Sequence, residues 1–388
     1  MQSLKLAFFC WESLYSIKVG GLSPAATHLA EVLARDHEVH FFTRGEGPDR
    51  EIQGVHFHYC RPTGTNIVDY CDDMSRIHLQ KFRELDDPPF DIIHFHDWHF
   101  IRIMPEFAGR RTVLTYHSSE YGRNGSEFGD WPEFEEISEL ERYGGFAAGR
   151  ITTVSKATRV EVMWLYDIPD RKITVVPNGI YPDRFCRRVD SGDVKKDYGI
   201  HPLAPVVLFV GRLTHQKGPD LLIEAIPLVL EKRSDVQFII AGTGDLRAEL
   251  EEKGRHLPVQ FLGYVSDDEH LRLLNAADVV VIPSRNEPFG LVLTEAWSAG
   301  RCVVATEVGG LSENIDNFVD GIKVPVRADS IAWGINYVID DPLRIRALGK
   351  AGRQKVNEKF TWEVVTRAMF DVYDGLMSGD GEQGKKAV

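Results

Sequence analysis

The chain has 388 residues, more than a single hydrophobic core usually organises, which points to two domains. Its 43% hydrophobic and 27% charged residues are those of an ordinary globular protein. A formal net charge of -13 leaves no basic surplus to neutralise nucleic-acid phosphates, although a pocket for one diphosphate needs only two or three cations.

The first apolar run, residues 4–10, is too short for a secretory h-region and reads as a buried strand. No later run approaches the roughly 18 apolar residues of a membrane span. Cys10, Cys60, Cys71, Cys186 and Cys302 form no C-x-x-C pair, so reduced thiols and a cytoplasmic location are expected.

Strand-like runs follow at 38–43, 91–95, 112–116, 151–154 and 173–177. Helical patterns separate them, such as 23–36, where Ser23 is a candidate N-cap and Pro24 a first helical residue. This alternation predicts a parallel sheet covered on both faces. Residues 178–205 break the rhythm with Gly, Pro and charge, as a connecting segment does. The alternation resumes at 206–210 and continues through 237–241, 259–262, 279–282, 302–305 and 321–324. The prediction is two α/β domains in tandem, with a polar, disordered tail over 378–388. Such domains bind ligands at the C-terminal ends of their strands, so functional loops are expected there, facing a shared cleft.

Several strand ends carry candidate chemistry. Lys18-Val19-Gly20-Gly21-Leu22 precedes a helix, and its glycines would let backbone amides approach a phosphate; a flexible turn is the other reading. His94-Phe95-His96-Asp97-Trp98-His99 ends one strand and His117 follows the next. The histidine spacing matches no zinc pattern, and a polar strand-end cluster is preferred to a metal site.

In the second half, Gly211-Arg212 through Lys217-Gly218 lacks the spacing of a P-loop, but places two cations just after a buried strand, suited to a diphosphate. Solvated surface cations are the bland alternative. Gly242-Thr243-Gly244-Asp245 lacks a full dinucleotide fingerprint, and a tight turn is its default reading. Glu287-Pro288-Phe289-Gly290 leads into a helix that carries Glu295 two turns on, so one carboxylate can serve a sugar ring and the other a ribose; a Glu favoured by the helix dipole plus an unrelated surface Glu is the other reading.

Taken in order, these motifs resemble the retaining family-4 GT-B glycosyltransferases and the glycogen and starch synthases beside them. The likeness rests on K-x-G-G-L at Lys18–Leu22, H-D-W-H at His96–His99 and the T-x-H histidine at His117. It continues with P-N-G-I at Pro177–Ile180, G-R-x-x-x-x-K-G at Gly211–Gly218, and E-P-F-G-x-x-x-x-E at Glu287–Glu295. The resemblance implies a GT-B fold of two Rossmann-like domains facing a shared cleft. An acceptor-side domain would cover 1–187 and a donor-binding domain 188–359, with a C-terminal helix over 360–378 returning to the first.

It further implies that Arg212 and Lys217, with the amide of Gly21, bind the donor diphosphate. Glu295 would hold the ribose. Glu287 and the amides of Phe289, Gly290 and Leu291 would hold the transferred sugar, which Asp97 and His117 would also face. Tyr264 would lie near the base, with Lys18, Gly20 and Gly242 also lining the donor site. Asp245 stands where relatives commonly have proline, which leaves the contact of the Gly242 loop open.

The expected reaction moves a glucosyl unit from ADP- or UDP-glucose to an α-glucan with retention, without cofactor, metal or nucleic acid. Another sugar such as mannose, or a small acceptor as in trehalose-type synthesis, fits the same motifs. A pyridoxal-phosphate-dependent glycan phosphorylase shares the fold but needs a Schiff-base lysine, and Lys217 is already assigned to the diphosphate. A non-catalytic nucleotide- or glycan-binding protein would not need both glutamates and both cations.

Overall fold

The computed structural model describes residues 3–378, so the tail expected beyond Ser378 lies outside the described residues. The chain forms two compact units. One gathers the chain up to Tyr121, Phe128–Gly179 and the stretch from Trp362 onward; the other comprises Gly122–Glu127 and Ile180–Thr361.

The first unit is built on eight strands: β1 (Lys5–Phe9), β2 (Glu38–Arg44), β3 (Arg50–Ile52), β4 (Val55–Cys60), β5 (Ile92–His96), β6 (Thr112–Tyr116), β7 (Arg150–Thr153) and β8 (Ile173–Val175). They lie in the order β3-β4-β2-β1-β5-β6-β7-β8, parallel except for the β3–β4 hairpin. Aromatic residues in register tie the centre together. Phe9 on β1 pairs with Phe42 on β2 and Phe95 on β5, with ring centroids 4.8 and 5.2 Å away. Such stacked pairs add to the burial of large rings, the principal stabilising term.

The second unit carries six parallel strands: β9 (Val206–Val210), β10 (Gln237–Ala241), β11 (Val259–Gly263), β12 (Val279–Ile282), β13 (Cys302–Thr306) and β14 (Ile322–Val324). Their order is β11-β10-β9-β12-β13-β14. Val207, Val279, Val281 and Val304 are buried on them, which is why these strands read as unbroken apolar runs.

In each sheet the chain starts at a central strand, extends to one side, then crosses to the other. The switch lies between β1 and β5 in the first unit and between β9 and β12 in the second. At such a point the two flanking loops leave in opposite directions and open a crevice beyond the strand ends.

Two local expectations change. The first helix spans Leu22–Leu33, with Gly21 rather than Ser23 at its N-cap. Gly21 already has helical dihedrals, so Ser23 is carried into the first turn and its side chain is buried instead of capping. The segment 178–205 contains the short helices Pro182–Phe185 and Ser191–Asp197, the latter capped by the Asp190 carboxylate.

The returning helix is present as Trp362–Met377 and packs in the first unit. Its Tyr373 hydroxyl lies 2.7 Å from Nδ1 of His94. Cys10, Cys60, Cys71, Cys186 and Cys302 are all free thiols, only Cys186 being exposed. No helix among the described residues is long and apolar enough to cross a membrane.

Candidate active site

The loops flanking the β9/β12 switch bring most of the second-unit candidates together. After β9 the chain passes through Arg212 into a 3-10 turn, His215–Lys217, and then Gly218. Gly218 has φ 64°, and a Cβ there would meet the Pro283 carbonyl oxygen at 2.1 Å. Only glycine lets this loop lie so close to the end of β12.

Further bonds fix the approach. The Arg285 amide donates to the Gln216 carbonyl at 2.8 Å, and the Arg285 guanidinium forks onto Asp220. The consequence is a direct contact between the two candidate groups: Lys217 Nζ donates to Glu287 Oε2 at 2.7 Å. Ser284 Oγ donates to the same oxygen at 3.1 Å. Arg212, which is exposed, donates to the Gln216 side chain at 2.9 Å.

Glu287 is 9% exposed and precedes the helix Leu291–Ser298, whose N-cap Gly290 has φ 97°. The first amides of that helix point toward the loop, as unsatisfied N-terminal donors do. Phe289 is buried against Phe360, and the Gly310 amide donates to the Glu287 carbonyl at 2.8 Å, so the loop is held from β13's side as well. Trp297, fully buried, anchors the far end of the helix by donating to the Asp320 carbonyl at 2.8 Å. Glu295 Oε2 lies 3.6 Å from His270 Nε2. Tyr264 is 76% exposed.

The Gly242 loop has a packing duty. A Cβ at Gly242 would meet the Gly211 carbonyl oxygen at 1.8 Å, and the Leu213 amide donates to the Thr243 carbonyl at 2.8 Å. These contacts lock the Gly242 turn onto the Arg212 loop, in keeping with its tight-turn reading.

In the first unit, Asp97 and the loop after β1 flank the β1/β5 switch. Asp97 has φ 56°, a conformation uncommon for a non-glycine residue, and its Oδ1 accepts the His117 amide at 2.7 Å. This bond fixes the position of His117. The ring of His117 meets His96 at 3.0 Å through Nε2, while its buried Nδ1 has no hydrogen-bond partner among the described residues. Burial holds His117 below the ordinary histidine value, against the opposing pull of Asp97. His94 and His96 stack with centroids 4.3 Å apart on one face of β5, as strand alternation requires. Both are fully buried, so they belong to the core rather than to an exposed cluster.

The glycine pair takes an unforeseen partner. Glu12 Oε2 accepts the amides of Val19 at 2.5 Å and Gly20 at 3.2 Å. Burial pushes the Glu12 carboxyl up to about 7. The Gly20 amide is therefore engaged by the protein itself, while Gly21 opens the following helix and Lys18 is exposed. Sequence reading missed Glu12, since a lone acidic residue between Trp11 and Ser13 carries no pattern. It also missed Asn286, whose amide donates to Ser126 Oγ at 2.8 Å, because that partner comes from a distant part of the chain. Among the described residues no three His, Cys, Asp or Glu side chains are grouped to hold a metal.

Known proteins agree with this architecture. Residues 19–184 match the model described as Glycosyltransferase Family 4, and residues 190–355 the model described as Glycosyl transferases group 1. An uncharacterized glycosyltransferase of Methanocaldococcus jannaschii is 36% identical over 385 residues, covering 95% of this chain and 98% of that protein. A glycogen synthase of Mycobacterium tuberculosis is 30% identical over 301 residues, covering 75% of this chain and 70% of that protein. Among solved structures, sucrose-phosphate synthase from Thermosynechococcus elongatus superimposes with a TM-score of 0.82 at 21% identity, covering 97% of this chain and 99% of that one. The chain belongs to the GT-B glycosyltransferases, with a family-4 first half and a group 1 second half.

Proposed function

We propose that the enzyme transfers a glucosyl unit from ADP- or UDP-glucose to an α-glucan with retention at the anomeric carbon. The observation that carries this reading is the Lys217–Glu287 contact at the β9/β12 switch point, beside Arg212 and the N-terminus of the helix Leu291–Ser298. The K-x-G-G-L and H-D-W-H motifs and the similarity to a glycogen synthase favour glucose and a glucan over other sugars and acceptors.

In this scheme Arg212 and Lys217 take the charge that grows on the departing diphosphate, helped by the Gly21 amide, with Lys18, Gly20 and Gly242 lining the donor. Glu295 accepts ribose hydroxyls and Tyr264 lies beside the base. Glu287 and the amides of Phe289, Gly290 and Leu291 hold the sugar, whose ring gains positive, oxocarbenium-like character. Asp97 orients His117, and the free Nδ1 of His117 accepts or donates at a sugar hydroxyl as a neutral imidazole. The acceptor hydroxyl attacks on the face the diphosphate leaves. The anomeric C–O bond to phosphate breaks, the new glycosidic bond forms, and the hydroxyl proton departs with the phosphate.

A panel of nucleotide sugars with glycogen as acceptor, the product anomer read by NMR, tests the reading. An α-linked glucosyl product is expected. Transfer confined to another sugar, or a β-linked product, overturns it.

A further inference from the structure

The first unit exposes a group of aromatic rings that none of the roles above uses. Phe128 is 66% and Trp164 62% exposed, and Trp131 is 39% exposed. They are not scattered. Tyr121 lies 4.9 Å from Phe128 and 5.5 Å from Trp164, and Phe128 lies 6.0 Å from Trp164, with the planes tilted by 51° to 69°. Isolated surface aromatics need no explanation, but three that converge from the short helix Glu120–Arg123, the loop after it and the helix Lys156–Tyr166 form a contiguous apolar patch.

The platform is firmly built. Trp131 folds back over Gly129, where a Cβ would meet its ring at 2.5 Å, and it packs edge-on against the buried Phe134. Ser119 Oγ donates to Glu161 at 2.5 Å, tying the strand-end segment that carries Tyr121 to the helix Lys156–Tyr166 that carries Trp164. Tyr121 itself stands only four residues beyond His117.

We propose that Tyr121, Phe128 and Trp164 form a stacking platform for glucosyl rings of the acceptor glucan. The inference rests on the glucan reading above and adds to it the place where the polymer is held. A glucopyranose ring has an apolar C–H face that lies on an aromatic ring, and a belt of hydroxyls that seeks acceptors at the rim. The exposed Asp130 and the partly exposed Glu133 follow Phe128 within five residues and can offer carboxylates to such hydroxyls. Rings tilted by more than 50° suit a curved chain better than a flat one. The same carboxylates, in a chain of net charge -13, repel the anionic surface of a membrane.

The test is native electrophoresis of the full chain through gels containing amylopectin, with Phe128→Ala/Trp164→Ala beside the wild type. Because both side chains are mostly exposed, the variant should stay folded, with a melting temperature lowered by no more than the loss of its mutual ring contacts, and hydrolyse the donor at an unchanged rate. Its apparent affinity for amylopectin should fall about tenfold or more, as loss of stacking contacts implies, and the KM for glucan should rise in step. Trp164→Phe should keep most of the affinity. Equal retardation of wild type and double variant overturns the platform, as does a wild type that amylopectin does not retard. A change of oligomeric state in the variant, seen by light scattering, would assign the patch to a second copy and also overturn it. The two readings fail separately. If a different sugar is transferred yet amylopectin retards only the wild type, the donor assignment falls and the platform stands.

Discussion

Lys217 Nζ and Glu287 Oε2 are 2.7 Å apart, although 70 residues separate them in sequence. Both side chains are largely shielded, at 22% and 12% exposure, so the pair is more than a solvated surface contact. The geometry makes each residue the other's electrostatic partner as well as a candidate ligand for the donor.

That coupling is measurable. Glu287→Gln and Lys217→Ala should each lower turnover by about 10²–10³, the usual consequence of losing one charge-stabilising group. Combined, the losses should not multiply. A double-mutant cycle on thermal stability should give a coupling of about 0.5–3 kcal/mol. Strictly additive effects would mean the two groups act independently.

Arg212→Ala should weaken donor binding with little change in stability, since its side chain is exposed and donates to the side chain of Gln216 on the same loop. Activity should survive exhaustive EDTA treatment, because Arg212, Lys217 and the Leu291–Ser298 helix N-terminus already offer positive charge to a diphosphate. Strict dependence on added Mg²⁺ or Mn²⁺, with near-normal Arg212→Ala, would place the diphosphate elsewhere.

Gly218→Ala should destabilise the second unit by about 1–3 kcal/mol, the cost of holding a side chain in left-handed backbone against a carbonyl oxygen. Gly375→Ala is the control: nothing lies within 4 Å of its Cβ position, in the middle of a helix turn, so it should be neutral or stabilising by up to about 1 kcal/mol. Equal melting temperatures for the two variants would contradict the close approach of the Gly218 loop to Pro283.

The pH dependence of stability contains two opposing parts. Burial lowers His40 and His78 to about 4 and His94 to about 3, from an ordinary 6.5. Between those values the unfolded chain binds more protons, so stability is lost as pH falls from 6.5 toward 4. Glu12 runs the other way. Its carboxyl is raised from 4.5 to about 7, the folded chain binds the extra proton, and stability rises as pH falls through that window. Burial also lowers His58, His96 and His117, so the histidines outweigh Glu12 and the protein should weaken on acidification. Glu12→Gln should steepen the weakening between pH 7 and 4.5. Melting curves across this range decide it; parallel curves for wild type and variant would sink the Glu12 part.

Much of the fold could be read directly. The runs at Val206–Val210 and Val279–Ile282 are strands residue for residue, because a strand buried on both faces has no polar position to blur it. The strand Val55–Cys60 carries no clear sequence signal, since His56 and His58 mask an alternation whose apolar members are Val55, Phe57 and Tyr59. At the site, sequence order located the Arg212 and Glu287 loops but not their mutual contact. That contact depends on strand order, which no local pattern encodes. Glu12 and the Ser126–Asn286 bond were equally invisible, being products of chain return rather than of neighbouring residues.

The hydrogen bond between His94 and Tyr373 spans 279 positions of sequence. During synthesis the strand carrying His94 emerges early, but the hydroxyl that meets its Nδ1 arrives only with the helix Trp362–Met377. The second unit, nearly all of it contiguous, has every strand available before then. The unit made first is thus the last that can be completed. A ribosome stalled before Trp362 would hold a first unit in which Nδ1 of the buried His94 lacks its partner, though Nε2 already meets Thr115, with an uncovered hydrophobic seat where Trp362 should lie against Gly179.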